Sequence, residues 1–197
     1  MVETEGKAVR INEKVLSEFL IEARNNAWAG EAKEKVAQGI RQIAPFTKSH
    51  DFFKLRYIDQ YVGANGEPFQ GLEVVSIHML EDKCWIPFWA MGYRGEYMGP
   101  VDERKEVNNF LKKALKAAPI DAPFRGPSKF EDPHPRGSEG RYIGDFSEYA
   151  YKNDWLGDIR DFSGSEKIIR NGANIVLHSA KYFGGLVNNC GFLGQEP

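Results

Sequence analysis

The chain has 197 residues, a length that predicts one domain and excludes a long multidomain enzyme. Apolar residues make up 42% and charged residues 27%, which is typical of a globular domain and argues against a disordered chain or a coiled coil. The formal net charge of −2 supplies no overall positive field for phosphates, so we do not expect nucleic-acid binding.

The first helix is predicted near the start of the chain. Val15, Phe19, Leu20 and Ala23 recur at spacings of three and four residues, as on the apolar face of an amphipathic helix that begins near Asn12. No stretch approaches the roughly 18 uncharged apolar residues of a membrane span, and the N-terminus is acidic and polar rather than basic and then apolar. We therefore expect a cytoplasmic protein that does not contact membranes.

Three strands are predicted after this helix. The polar residues 31–43 come first and predict a short extra helix. Strands then follow at about 51–62, 69–80 and 85–93, and Asn65-Gly66 predicts a tight turn between the first two.

A second helix and three more strands repeat this order. Val107, Phe110 and Leu111 share one face of a predicted helix that begins near Asp102 and Glu103. A proline-rich loop follows at 119–141, in which we expect the basic residues 125–129 to be solvated surface. The remaining strands are predicted at about 141–156, 162–170 and 175–183, with a tight turn at Asn171-Gly172.

The two halves of the chain share residues in the same order, about 90 positions apart. The matches are 19–23 with 110–114, 61–73 with 155–166, 86–95 with 175–184 and, more weakly, 28–30 with 124–126. We interpret residues 1–197 as a single α+β domain made of two αβββ repeats, about 12–99 and 102–187. Its antiparallel sheet carries two main helices and a pseudo-twofold axis. Coincidence among frequent glycines and aromatic residues is the alternative.

Two glutamates lie at matching positions of the repeats. Because side chains alternate along a strand, Glu73 shares the apolar face of its strand with Phe69 and Ile77, and Glu166 shares its own with Phe162 and Ile168. A buried carboxylate is costly unless it is paired, and each glutamate has a glycine two residues before it that leaves space. We expect each glutamate to face a partner.

Aromatic residues on the neighbouring strands are predicted to frame these glutamates. Such a cleft suits a cationic or aromatic ligand, through charge pairing and cation–π contacts. The predicted ligand-binding residues are Glu73, Glu166, Tyr57, Tyr61, Trp89, Tyr93, Tyr151 and Trp155. We expect a non-enzymatic small-molecule-binding domain of the sensor type.

Two other interpretations stay open. The glutamates could accept hydrogen bonds from tyrosines or pair with Arg56, Arg94 or Arg170, in a purely structural or oligomerising module. Alternatively, paired carboxylates could run hydrolase or isomerase chemistry. The sequence leaves a homodimer open.

Motifs of other chemistries are not found in the sequence. Phosphate-binding and dinucleotide-binding loops and the GxSxG nucleophile motif do not occur. Cys84 and Cys190 form no CxxC pair, and the histidines are scattered. We expect neither a metal nor a cofactor.

A set of motifs recurs along most of the chain, at residues 19–24, 29–30, 57–63, 69–74, 89–95, 110–115, 123–127 and 162–166. Taken together, these motifs resemble an uncharacterised bacterial and archaeal domain family. Its members occur alone or behind a helix-turn-helix in transcription regulators, and the resemblance implies no known activity. Because no helix-turn-helix is evident before Val15, we do not expect direct DNA binding. The order of elements is also similar to that of gyrase-inhibitor-like (SOUL-type) effector-binding domains, in layout only.

Overall fold

A computed structural model describes residues 4–5, 8–9, 11–27, 29, 32–63, 68–79, 84–131 and 148–187. This part of the chain is an α+β fold with two helices, α1 (Glu13–Asn26) and α2 (Arg104–Lys116). Neither of them is long and apolar enough to cross a membrane. The strands are β1 (Thr4–Glu5), β2 (Ala8–Val9), β3 (Glu34–Ala37), β4 (Ile40–Ile43), β5 (Phe46–Ser49), β6 (Phe53–Val62), β7 (Phe69–Met79), β8 (Ile86–Tyr97), β9 (Lys129–Glu131), β10 (Tyr149–Asp158), β11 (Asp161–Arg170) and β12 (Ile175–Leu186).

Ten of the described strands form one antiparallel sheet. Its order is β3-β4-β6-β7-β8-β12-β11-β10-β9, and β5 also pairs with β6. At the centre, β8 and β12 run antiparallel with Tyr93 directly opposite Tyr182. The strands of the first half, β6 to β8, therefore lie on one side of this pair, and those of the second half, β10 to β12, lie on the other.

The two helices cover one face of the sheet. Leu16, Phe19 and Leu20 of α1 are buried among residues of β6, β7 and β8. Phe110 and Leu111 of α2 are buried in a second apolar cluster with residues of β10, β11 and β12. Burying each such side chain contributes roughly 1.5–3 kcal/mol, which is enough to hold both helices on the sheet.

The helix starts differ in how they are capped. The side chain of Asn12 accepts a hydrogen bond of 2.9 Å from the backbone N–H of Val15, as predicted for an N-cap. In α2 the cap position falls on Glu103 and its side chain makes no capping bond. The Glu103 carboxylate instead accepts a hydrogen bond of 3.0 Å from the Tyr149 hydroxyl and pairs with Arg170.

The predicted helix at 31–43 is wrong. Residues 34–43 form the hairpin β3–β4 instead, and its turn places Gln38 at φ 53° and Gly39 at φ 81°. Positive φ at both central positions matches the twist of a two-residue hairpin turn. Tertiary pairing of Arg41 with Tyr61 of β6 then extends the sheet and overrides the local helical tendency.

The remaining loop and turn predictions have different outcomes from one another. Asn171-Gly172 begins a turn, with Gly172 at φ 82°, as predicted. Asn65-Gly66 lies outside the described residues. The proline-rich connection is irregular up to residue 128, but the short strand β9 then pairs with β10. The strand predicted from residue 141 is described only from Tyr149 onward.

Candidate functional site

Both glutamates lie on the buried face of the sheet, as the alternation predicts. Glu73 of β7 is 3% exposed and Glu166 of β11 is 1% exposed. The glycine two residues before each one leaves room for a tyrosine ring from the next strand. The ring of Tyr93 lies where a Gly71 side chain would be, and the ring of Tyr182 does the same at Gly164.

Each glutamate faces a cation supplied by the chain itself. Arg125 lies between the two: its Nε donates to Oε2 of Glu166 at 3.1 Å, and its Nη1 is 3.7 Å from Oε1 of Glu73. Its guanidinium carbon is 5.7 Å from the Tyr93 ring centroid and 5.8 Å from that of Tyr182. The partner that we expected at the glutamates is therefore an internal arginine stacked between two aromatic rings.

A second arginine completes this cluster. Arg24, near the end of α1, donates from Nη2 to Oε2 of Glu73 at 3.2 Å and to the carbonyl of Phe124 at 2.9 Å. It also donates to the carbonyl of Pro123. Arg24 therefore holds the loop that carries Arg125 against the first helix.

These contacts correct two expectations. Arg125 is 5% exposed and is not solvated surface, because its charge compensates two buried carboxylates. The suggested partners Arg56, Arg94 and Arg170 are wrong for the glutamates. Arg170 pairs with Glu103, Arg56 lies over the ring of Trp85, and Arg94 points to solvent.

Arg125 and His178 together keep Glu166 ionised. Burial is the largest single influence and raises the pKa of this carboxyl, but Arg125 and His178, whose Nε2 lies 3.8 Å from Oε1 of Glu166, together outweigh burial and hold the pKa well below its usual range. The hydroxyl of Tyr151 donates a further hydrogen bond of 2.7 Å to Oε2 of Glu166. Glu166 is thus a stably ionised, fully partnered group.

Asp59 is a buried acid of the site that forms no ion pair with either arginine. It lies directly across from Glu73 on β6, is 7% exposed, and accepts a hydrogen bond of 2.7 Å at Oδ1 from the Tyr93 hydroxyl. Its Oδ2 accepts no hydrogen bond from the described residues. Burial, and then the nearby charge of Glu73, raise the pKa of Asp59 to about 7, although Tyr93, Arg125 and Arg24 lower it.

The matching place in the second half holds an amide. Asn153 lies directly across from Glu166, and its Oδ1 accepts a hydrogen bond of 2.7 Å from the Tyr182 hydroxyl. Its Nδ2 donates to the carbonyl of Gly126 at 2.8 Å. Both ends of this amide are therefore satisfied within the protein, and the loop that carries Arg125 fills the space in front of it.

A cavity of about 270 Å³ lies in front of the first half of the sheet, beneath the two helices. Arg24 and Ala29 line it on the side of α1, Arg104 and Asn108 on the side of α2, and Arg125 between them. His178 of β12 also reaches it. From β6, β7 and β8 the lining residues include Tyr57, Asp59, Tyr61, Phe69, Glu73 and Tyr93.

Half of the residues predicted from the sequence line this cavity, namely Tyr57, Tyr61, Glu73 and Tyr93. The other four belong to the packed second half or to the core. Glu166 and Tyr151 bond to each other, Trp155 packs against Phe124, and buried Trp89 donates to the carbonyl of Ile159 at 3.0 Å.

Seven residues of the cavity wall with charged, amide or imidazole side chains were missed, namely Arg24, Arg41, Asp59, Arg104, Asn108, Arg125 and His178. The alternation along β6 places Asp59 on the same face as Tyr57 and carried a usable signal. The others reach the site only through tertiary packing of α1, β4, α2, the loop after α2 and β12.

The described residues contain no group of three His, Cys, Asp or Glu that could hold a metal. Cys84 is exposed, and Cys190 lies outside the described residues.

The family model of a domain of unknown function, DUF5680, matches residues 59–187. The chain belongs to the DUF5680 family. The match begins at Asp59 and includes β7 to β12 and α2, so it takes in both halves of the sheet and most of the cavity wall. No curated protein and no solved structure matches the chain.

Proposed function

We propose that this DUF5680 protein binds a small organic cation in the cavity, with Asp59 as the acidic anchor. One observation carries the proposal: Asp59 is a buried carboxylate on the cavity wall whose only hydrogen bond from the described residues comes from Tyr93. Buried charges are ordinarily paired within the protein. A buried carboxylate that has no cationic partner in the protein can bind a cation from solution.

The balance of charge supports a cation rather than an anion at Asp59. Arg24 and Arg125 match Glu73 and Glu166, so this buried cluster is neutral when Asp59 is protonated and negative when it is ionised. A bound cation favours the ionised form and restores neutrality. Burial, and then the charge of Glu73, raise the pKa of Asp59 to about 7, and a cation bound beside the carboxylate would lower this pKa again.

The aromatic wall supports the same class of ligand. Tyr57, Tyr61, Phe69 and Tyr93 line the cavity beside Asp59, and a cation over such rings gains about 0.5–2 kcal/mol per contact. The protein already places one cation in this way, since Arg125 lies between Tyr93 and Tyr182. The volume of about 270 Å³ suits a small ligand rather than a large one.

The proposal includes the duplication of the αβββ unit about a pseudo-twofold axis. Its support is a set of reciprocal contacts: Phe69 of the first half stacks on His178 of the second at 5.6 Å, and Phe162 of the second stacks on Trp89 of the first at 5.8 Å. The first half then has Asp59 and a cavity where the second has Asn153 and a filled space. On this interpretation the second half became structural and the first retained the ligand site.

A sensor role without catalysis remains part of the proposal. The resemblance to domains found behind helix-turn-helix segments, and the layout shared with gyrase-inhibitor-like effector-binding domains, support it by analogy alone. Catalysis by the paired glutamates is less well supported, because arginines neutralise both. The structural alternative describes Glu166 and Arg125 well, but it gives no reason for an unpaired acid at Asp59.

A thermal-shift comparison of two matched compounds tests the proposal. Benzylamine is a cation and benzyl alcohol is its neutral counterpart, so the amine should raise the melting temperature and the alcohol should not. In Asp59→Asn the response to the amine should disappear, whereas it should persist in the control Asp154→Asn, which removes an exposed acid. Equal responses to both compounds, or an unchanged response in Asp59→Asn, would contradict the proposal.

A further inference from the structure

The cavity has a second polar region on the side of α2. Arg104 is the first residue of this helix and Asn108 follows one turn later on the same helix face, and both line the cavity. Both are half-buried, whereas Asp59 and Glu73 are almost fully buried. The cavity thus runs from a buried acidic group to a more exposed basic one.

Arg104 differs from the other arginines of the cavity wall. Arg24 pairs with Glu73, Arg125 pairs with Glu166, and Arg41 donates to Glu34 at 3.0 Å. Arg104 forms no ion pair with any acid among the described residues, and its buried Nε has no hydrogen-bond partner.

The guanidinium of Arg104 is nevertheless held in place. Its central carbon lies 5.2 Å from the ring centroid of Tyr97, and the Tyr97 hydroxyl donates to the carbonyl of Pro100 at 2.7 Å, which fixes that ring. A positioned guanidinium whose donors are unused is suited to bind a carboxylate or phosphate through paired hydrogen bonds. The side-chain amide of Asn108 can donate one more.

We infer that the ligand is a zwitterion, with an anionic oxygen group at Arg104 and its cationic group at Asp59. This inference rests on the proposed function, since it adds a second contact to the same ligand. Asp59 lies on β6 and Arg104 lies on α2, so the ligand must reach from one wall of the cavity to the other. Two opposite charges on the wall also give the ligand a single orientation.

A series of ω-amino acids of increasing length tests the inference, each compared with the alkylamine of the same length and with the matching aminoalkyl phosphate. Isothermal titration calorimetry gives the dissociation constants. At the best length the amino acid or the aminoalkyl phosphate should bind about tenfold more tightly than the amine, as one charge-assisted contact allows. Which anion gains more shows whether a carboxylate or a phosphate is preferred.

The variant Arg104→Gln should abolish that gain. It should still bind the amine, at least as tightly as wild type, because a positive charge is removed from the cavity wall, and this binding also shows that the variant is folded. Lys105→Gln, one residue along α2 with an exposed side chain, is the matched control and should keep the gain. The inference would be overturned if wild type bound each amine as tightly as the zwitterion of the same length, or if Arg104→Gln kept the tighter binding of the zwitterion. Either result would leave the proposed function intact. Failure of every compound in the series to bind would contradict both.

Discussion

Asp59 and Asn153 occupy matching places in the two halves of the sheet. Each lies directly across from a buried glutamate, and each accepts a hydrogen bond of 2.7 Å from a tyrosine hydroxyl. The two side chains have nearly the same shape and differ in whether they can ionise. The half with the amide is packed with the chain's own loop, and the half with the acid faces a cavity.

Replacing Asp59 by Asn should stabilise the protein at neutral and alkaline pH. The folded-state pKa of about 7 lies above the ordinary value of 3.8, so the folded protein holds its proton more tightly and wild-type stability falls as the pH rises between these values. Asn does not titrate. The advantage of Asp59→Asn should therefore be close to zero below about pH 4 and reach on the order of 4 kcal/mol above about pH 7.

Urea unfolding of both proteins across this pH range measures the difference. Asp154→Asn provides the control, because Asp154 is exposed on the same sheet. An advantage that is constant with pH would show that Asp59 is not the titrating group.

The reverse change in the second half should be harmful. Asn153→Asp puts a new acid beside Glu166 and removes the donor to the Gly126 carbonyl, where the loop that carries Arg125 packs against it. A buried charge without a partner costs about 3–5 kcal/mol, so we expect a loss of that order at pH 8. Asn109→Asp makes the same chemical change on the exposed surface of α2 and should be nearly neutral. Equal stability of the two variants would contradict the conclusion that Asn153 is buried against the loop that carries Arg125.

Removing the guanidinium of Arg125 should destabilise the fold, and an added cation should restore part of the lost stability. Arg125→Ala leaves Glu73 and Glu166 facing each other without this charge and should cost about 3–5 kcal/mol. Ethylguanidinium at concentrations too low to denature should restore part of the loss by binding in the vacated space. Arg94→Ala, which removes an exposed arginine, should show neither effect. If ethylguanidinium did not raise the stability of Arg125→Ala, the space vacated by the side chain would not be retained as a cation site.

The tyrosines over the two glycines should make both positions intolerant of a methyl group. Gly71→Ala and Gly164→Ala each place a Cβ within 2.5 Å of the Cζ and hydroxyl oxygen of Tyr93 or Tyr182, so each should lose about 1–3 kcal/mol on thermal or chemical unfolding. The exposed Ser163→Ala is the control on the same sheet. A neutral result at either glycine would show that the ring above it is free to move.

Local patterns in the sequence predicted much of the sheet. Alternation along β7 and β11 placed both glutamates on the buried face. Five of the six long strands lie close to their predicted positions, and the sixth, β10, is described only from Tyr149 onward. The spacing of Phe19 and Leu20 likewise predicted α1. Such features depend on neighbours along the chain, which is why sequence reasoning reaches them.

The interior of the site was not predictable in the same way. Arg24 and Arg125 are about 100 residues apart in the chain, and neither carries a local signal that it will be buried beside a glutamate. Residues 34–43 form a hairpin rather than the predicted helix because β4 pairs with β6, which is distant in the chain. The sequence shows that Asp59 and Asn153 differ, but it does not show that one side chain lines a cavity and the other is bonded to a loop.

The most direct test of the account is the affinity for a permanently charged aromatic cation as a function of pH. Phenyltrimethylammonium does not titrate, so a change in its dissociation constant reports the protein alone. The groups that face Asp59 are Glu73 of β7, Tyr93 of β8, Arg24 of α1 and Arg125 of the following loop, and His178 of β12 also lines the cavity. The variant Asp59→Asn retains all five and therefore isolates the contribution of Asp59.

In wild type, the dissociation constant should fall about tenfold per pH unit below about pH 7 and become constant above it, because the cation binds the ionised carboxylate. In Asp59→Asn binding should be weak and should lack this dependence. A wild-type affinity that does not change with pH, or the same profile in both proteins, would contradict the assignment of Asp59 as the anchor of the site.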